Sequence, residues 1–150
     1  MTTPEMIRVY VQQLCKEIGI NEETIYNKDR KAWYFSKGQI SIEVFMTSYE
    51  TVRKTIRTFI RVFSPIYTIP KDAQSQLELY QGALEANAQY MGVKVATIFE
   101  KGFMYAVAER DIEGMDYVEF VTVINDQAHW AEKLADYLKK RFDSVSTAAN

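Results

Sequence analysis

Two apolar periods succeed each other along the chain. The first is helical. Ile7, Tyr10, Val11, Leu14 and Ile18 recur three and four residues apart, which predicts an amphipathic helix at the start. Thr3 suits its cap, Pro4 its first turn and Glu5 its dipole, and Gly19 suits a left-handed stop. Cys15 lies at the margin of this stripe, where a small, half-buried packing role is expected. Asn21 to Lys31 is polar and reads as a loop with some local structure.

The second period is two. Ala32 to Phe35 reads as a short strand, and Ser36-Lys37-Gly38-Gln39 as a turn. Ile40, Ile42, Val44 and Met46 then alternate with Ser41, Glu43, Phe45 and Thr47, as in a half-buried strand. Tyr49 to Phe63 fits both periods. Its β-branched and aromatic residues, and the extended run Ile66-Tyr67-Thr68-Ile69 leading to Pro70, favour a strand over Thr55 to Phe63, broken at Ser64-Pro65.

Asp72 caps a second helix, with Ala73, Leu77, Tyr80, Leu84 and Met91 assigned to its apolar face and Gly92 to its end. Asn87 falls close to that face. An unpaired buried amide costs about 1–3 kcal/mol, so Asn87 is expected to bond nearby backbone and fix the helix to the sheet, with a ligand contact as the alternative. Val93 to Phe99 alternates again, Lys101-Gly102 turns, and Phe103 to Arg110 returns. Glu113-Gly114 breaks that strand, and Asp116 and Glu119 have the spacing of a capping box. Val121, Ile124, Ala128, Ala131, Ala135, Leu138 and Phe142 mark the core face of a last helix over 117–142. The expected architecture is α+β in the order α-β-β-β-α-β-β-α. An antiparallel sheet of about five strands carries the 73–91 and 117–142 helices. One domain spans 1–143, and 144–150 is a flexible tail.

Several local patterns in this order resemble the YbjN-like family, whose fold is similar to that of the class I type III secretion chaperones. They are Trp33, Ile42-Glu43-Val44, the run from Arg57 to Pro70, Ala83-Leu84-Glu85-Ala86-Asn87, Ile112-Glu113-Gly114-Met115-Asp116 and Glu132-Lys133-Leu134-Ala135-Asp136. Ala83 and Ala86 depart from the pattern, since larger apolar residues are usual there. The resemblance covers about residues 5–142. It implies helices packed on an antiparallel sheet and a binding, chaperone-like or sensory regulatory role. It supplies no catalytic residues.

Composition narrows the chemistry. With 150 residues, 47% apolar and 25% charged, the chain has the make-up of an ordinary soluble domain. Its net charge of -2 counts against a polyanion as partner. The cluster Arg53, Lys54, Arg57 and Arg61 with Phe59 and Phe63 is the one pattern suited to single-stranded nucleic acid. A solvated face is the commoner explanation, so nucleic acid is not the expected partner. The single cysteine forms no internal disulfide, no signal peptide is visible and no apolar run reaches membrane-spanning length. A cytoplasmic protein is expected.

Metal and triad chemistry both fail on supply. His129 and Cys15 are the only His and Cys, whereas structural zinc takes about four such ligands. His129 is expected on the solvated side of its helix. No glycine-rich phosphate loop is present. Glu43, Glu100 and Glu109 lie on strands, and pairing across the sheet with Arg57 or Arg61 is the expected use. No cofactor and no enzymatic activity are expected.

What stands out is surplus apolar surface. Phe45, Phe59 and Phe63 alternate with Ile40, Ile42, Ile60 and Val62, so both faces of these strands are apolar. Val123, Trp130 and Tyr137 form a second stripe on the last helix. The chain's own N-terminal helix or the 21–31 loop is one cover for this surface. The other is a protein partner or a second copy, docking on Trp33, Phe45, Arg57, Phe59, Arg61, Phe63, Trp130 and Tyr137. The alternative function is a small-molecule sensor with a pocket near Tyr80, Asn87 and Trp130.

Overall fold

A computed structural model describes the backbone of residues 1–148 and the side chains of residues 1–143. The elements are α1 (Pro4–Ile18), α2 (Glu22–Ile25), β1 (Tyr26–Asn27), β2 (Ala32–Lys37), β3 (Ile40–Glu50), β4 (Ile56–Thr68), α3 (Ala73–Gln89), β5 (Lys94–Ile98), a short 3₁₀ turn (Phe99–Lys101), β6 (Phe103–Asp111) and α4 (Tyr117–Ala148). The fold is α+β, with one antiparallel sheet in the order β1-β2-β3-β4-β6-β5. The sixth strand is β1, two residues inside the segment expected to be a loop. The residues read as a tail, 144–150, lie outside the described side chains, and 149–150 outside the described backbone; α4 is followed to Ala148.

Alternation decides which side chains meet the helices. Trp33 and Phe35 on β2, Ile42 and Val44 on β3, Ile60 and Val62 on β4, and Met104 and Ala106 on β6 share one face and are buried. Helix α4 lies against β3, β4 and β6, and α1 packs against α4. The buried residues of α4 include Phe120, Ile124, Gln127, Ala131, Leu134 and Leu138. This face is rotated from the expected one: Phe120, Gln127 and Leu134 replace Val121, Ala135 and Phe142, which are half-buried. Gln127 is fully buried and donates to Ser64 Oγ at 3.1 Å and to the Ala106 carbonyl at 2.9 Å.

Several local signals act as read. Thr3 Oγ1 caps α1 and Gly19 ends it at φ 73°. Asp116 and Glu119 bond each other's backbone N–H groups reciprocally at 2.8 and 3.2 Å. Asp72 accepts from Ser75 N at the start of α3. Cys15 is more deeply buried than expected, at 2% exposure, and burial pushes its thiol pKa up.

Two expectations are corrected. Strand β4 does not stop at Ser64-Pro65 but runs on to Thr68, with a register shift between Pro65 and Tyr67. Proline has no ladder donor, and the irregularity lets the strand continue past it. The apolar face of α3 is also different. Leu77, Leu84 and Met91 are 62%, 71% and 80% exposed, while Leu79, Gly82, Ala83 and Ala86 are buried. Small residues permit close approach here. A Cβ on Gly82 would lie 2.8 Å from Phe142 Cζ.

Asn87 locks α3 to the sheet. Its side-chain oxygen accepts from Val95 N at 2.6 Å and its amide donates to Val95 O at 3.1 Å. Among the described residues strand β5 has β6 on one side only, so the amide stands in for a neighbour strand. Edge protection of this kind limits pairing with other chains. Replacing Asn87 by Ala is expected to cost about 1–2 kcal/mol. Urea denaturation measures the loss, and faster hydrogen exchange at the Val95 amide locates it.

Two tyrosines tie α4 to its neighbours. Tyr117 donates to Glu17 Oε2 at 2.6 Å, and Tyr67 donates to Asp143 Oδ1 at 2.7 Å. Desolvation first, and the carboxylate partner second, push each phenol from an ordinary 10 up to about 12. The neutral form is therefore favoured by folding. This stability is complete below pH 10 and is lost as pH rises toward 12. In an ultraviolet phenolate titration, two of the ten tyrosines should ionise near pH 12. Tyr117→Phe should remove one late step and flatten part of the alkaline fall in stability.

Candidate functional site

The opposite phase of the same strands builds an open aromatic face. Because successive side chains point to opposite sides, burying Ile42, Val44, Ile60 and Val62 sends Glu43, Phe45, Phe59, Arg61 and Phe63 the other way. Register then aligns them in rows. Phe45, Arg61 and Glu109 face one another across β3, β4 and β6, and the adjacent row holds Tyr34, Glu43, Phe63 and Val107. A further row pairs Thr47, Phe59 and Asp111.

These side chains pack on each other. Phe45 and Phe63 meet edge to face at 5.2 Å, Phe63 and Tyr105 lie 6.2 Å apart, and Tyr49 stacks on Phe59 at 5.9 Å. Arg61 lies 4.9 Å from the Phe63 centroid and 5.4 Å from that of Phe45, while its guanidinium pairs with Glu109 at 2.9 Å. Arg57 lies over Phe59 at 5.7 Å and pairs with Asp111. Each arginine thus covers a ring and is neutralised by a carboxylate from β6. Held between two rings, Arg61 buries its Nε with no hydrogen-bond partner among the described residues. Phe45, Phe59 and Phe63 remain half-buried, and Tyr49 and Phe103 are 49% and 39% exposed.

The structure brings together five of the eight residues expected to dock a partner: Phe45, Arg57, Phe59, Arg61 and Phe63. Trp33 lies on the other face, only 2% exposed, with its indole N–H on Glu22 at 3.1 Å. It belongs to the core because its register partner is Val44 rather than Glu43 or Phe45. Trp130 and Tyr137 are on α4, half-buried against Tyr90 at 5.9 and 6.1 Å. They form a separate cluster beside the end of α3.

Tyr34, Tyr105 and Phe103 complete the open face, and local pattern does not single them out. Tyr105 and Phe103 share the phase of Val107 and Glu109, but only the insertion of β6 between β4 and β5 sets them beside Phe63. Glu43 pairs with neither Arg57 nor Arg61. It accepts from Tyr34 Oη at 2.8 Å, with Arg30 at 4.0 Å. Glu109 does pair with Arg61, as cross-strand register dictates. Burial, then the bond to Glu43, raises the Tyr34 phenol pKa. For Tyr105, 7% exposed, burial and then the Glu43 charge act in the same direction.

Two depressions among the described residues bear on the site. One of about 340 Å³ lies over Glu43, Tyr34, Phe63 and Tyr105. The other, about 790 Å³, runs between the end of β4, the start of α3 and α4, past Tyr67, Pro70, Asp72 and Phe142. Neither is lined by Tyr80, Asn87 or Trp130. Among the described residues, no group of three or more His, Cys, Asp or Glu side chains is placed to hold a metal ion. His129 is exposed, its ring 5.3 Å from that of Trp130. Among the described residues no helix is long and apolar enough to cross a membrane.

The arginine–ring contacts on the open face are measurable. A double-mutant cycle of Arg61→Ala and Phe63→Ala, read by urea denaturation, should give a coupling of about 0.5–1 kcal/mol. Arg61→Ala alone should raise binding of an apolar dye, because two rings lose their cover.

No family model matches the chain, and no curated protein matches it. Among solved structures it is similar to a chain from the HopA1–SchA chaperone–effector complex. The two are 10% identical with a TM-score of 0.56, over 87% of this chain and 97% of that one. At that identity the likeness is one of fold.

Proposed function

We propose that this protein is a non-enzymatic, chaperone-like binding module of the cytoplasm that docks apolar segments of a partner protein on its open sheet face. One observation carries the reading: the face turned away from the helices holds half-buried Phe45 and Phe63 packed on a buried Tyr105, with half-buried Phe59 stacked on Tyr49 further along, where a solvated face would be polar. Each Å² of apolar surface covered there contributes roughly 25 cal/mol before the cost of association. No bond needs to be made or broken. The fold likeness to a chain of a chaperone–effector complex supports the same reading, as does the resemblance to the YbjN-like family with its regulatory associations. A second copy of the chain is the other occupant this face would accept.

The paired charges favour protein over nucleic acid. Arg57 and Arg61 are neutralised by Asp111 and Glu109 respectively, so a polyanion meets little net positive charge. The sensor alternative loses its proposed amide, since Asn87 already bonds Val95 through both its oxygen and its nitrogen.

Aggregation of a heat-unfolding reporter enzyme, followed by light scattering, tests the proposal. The wild-type protein should suppress scattering at near-stoichiometric amounts. The Phe45→Thr/Phe63→Thr variant should lose most of that effect while its circular dichroism stays unchanged, because threonine suits half-buried strand positions. Equal suppression by both proteins, or none by either, would overturn the reading.

A further inference from the structure

The β3–β4 hairpin runs beyond the rest of the sheet. Strand β2 pairs with β3 only as far as Phe45, and β6 pairs with β4 only from Phe59. Past these points, among the described residues, β3 and β4 pair only with each other, out to Glu50 and Ile56. From Thr47 to Arg57 every residue but Thr51 is exposed. Side chains stiffen this ribbon. The hydroxyls of Ser48 and Thr58 meet across the strands at 2.7 Å, those of Thr51 and Thr55 meet at 2.7 Å, and Thr51 N donates to the Thr55 carbonyl at 2.9 Å. The end of the ribbon carries apolar side chains in three directions. Tyr49 lies on the open-face side, Ile56, 67% exposed, on the opposite side, and Val52 at the turn is fully exposed. Two cations follow Val52. Arg53 and Lys54 are exposed and, unlike Arg57 and Arg61, neither meets a carboxylate among the described residues. Lys54 holds the left-handed conformation at φ 58°, which glycine or asparagine takes with less strain.

We propose that the tip of this hairpin binds the surface of an anionic bilayer, with Val52 in the boundary between headgroups and acyl chains and Arg53 and Lys54 at the lipid phosphates. The inference is independent of the docking role of the open face. A groove covers a convex ribbon from one side, whereas a fluid interface closes around both faces and the apex together. Cations set directly behind an apolar tip match the order of depths in that interface, and an amphipathic tyrosine ring suits the headgroup level. Nucleic acid fits less well. Tyr49 already stacks on Phe59 at 5.9 Å, so the tip offers no free ring to a base. Glu50 is the one carboxylate between Thr47 and Arg57 and opposes the attraction. With a net charge of -2, the chain as a whole is not drawn to an anionic surface, so the attraction is confined to the tip. Binding of this kind is reversible and weakens with salt.

Flotation of the full chain with vesicles tests the proposal, using phosphatidylcholine alone and a mixture of phosphatidylcholine with phosphatidylserine. The chain should float with the mixed vesicles and be released at high salt. Val52→Asp should abolish binding. Arg53→Gln combined with Lys54→Asn should weaken it about twentyfold, about fivefold for each cation, and asparagine keeps the left-handed turn. Glu50→Gln should tighten it. All these positions are exposed, so circular dichroism and the urea midpoint should stay at their wild-type values. Phe45→Thr/Phe63→Thr should float as the wild type does, which separates the tip from the open face. No flotation with the mixed vesicles, equal flotation with both kinds, or undiminished flotation of Val52→Asp would overturn the proposal. Retention on an immobilised acidic peptide without flotation would assign the tip to a protein partner and overturn it equally.

Discussion

The structure depends on a sheet packed from one side. Helix α4 lies across β3, β4 and β6 and buries Ile42, Val44, Ile60, Val62 and Ala106 beneath Phe120, Ile124, Ala131, Leu134 and Leu138. A strand cannot choose its two faces independently. Once one phase of the alternation is committed to α4, the other phase is turned outward as a whole. The aromatic face is therefore a geometric consequence of the core, and its composition is what distinguishes this chain from an ordinary one-sided sheet.

Both edges of the sheet are partly occupied. On the β5 side the amide of Asn87 occupies the free N–H and C=O of Val95. On the other side the two-residue β1 covers only the first part of β2, at Ala32 and Trp33. The buried Gln127 performs a related task at the centre. It reaches Ser64 and the Ala106 carbonyl just where β4 turns irregular at Pro65. A polar anchor there marks one position along the sheet for α4, which a purely apolar contact would not.

The sequence is most legible where period and chemistry agree. Alternation over β3 and β4 places Phe45, Phe59 and Phe63 opposite Ile42, Ile60 and Val62, and the folded sheet keeps that division. The Asp116–Glu119 box and the Gly19 stop follow local rules that need no tertiary knowledge. Helix α3 defeats the pattern because side-chain size does not imply burial. Two of its three leucines, Leu77 and Leu84, and the nearby Met91 lie outward, and its contact face sets Leu79 among Gly82, Ala83 and Ala86, where shape complementarity with Phe142 matters as well as side-chain volume. Trp33 falls outside the open face for a related reason. A one-residue difference in phase decides the face, and a short strand with apolar residues at Ala32, Trp33, Tyr34 and Phe35 conceals its phase. The role of Tyr105 requires β6 to lie beside β4, a long-range pairing on which local pattern is silent.

The charges on the open face resolve a conflict within it. Bare rings over three strands would attract any exposed apolar segment, including those of other copies. Arg57 and Arg61 cover Phe59, Phe45 and Phe63 with flat, weakly hydrated groups, and Asp111 and Glu109 neutralise them. Apolar area is kept, but a competitor must displace or match a guanidinium to reach it. Contacts of this kind are individually weak at an exposed position, so they cover the rings without sealing the face. The same logic makes position along β3 matter: Phe45 has Arg61 opposite it, whereas Glu43 has Phe63. For the proposed docking role, the placement of rings and charges, more than total buried area, would distinguish one segment from another.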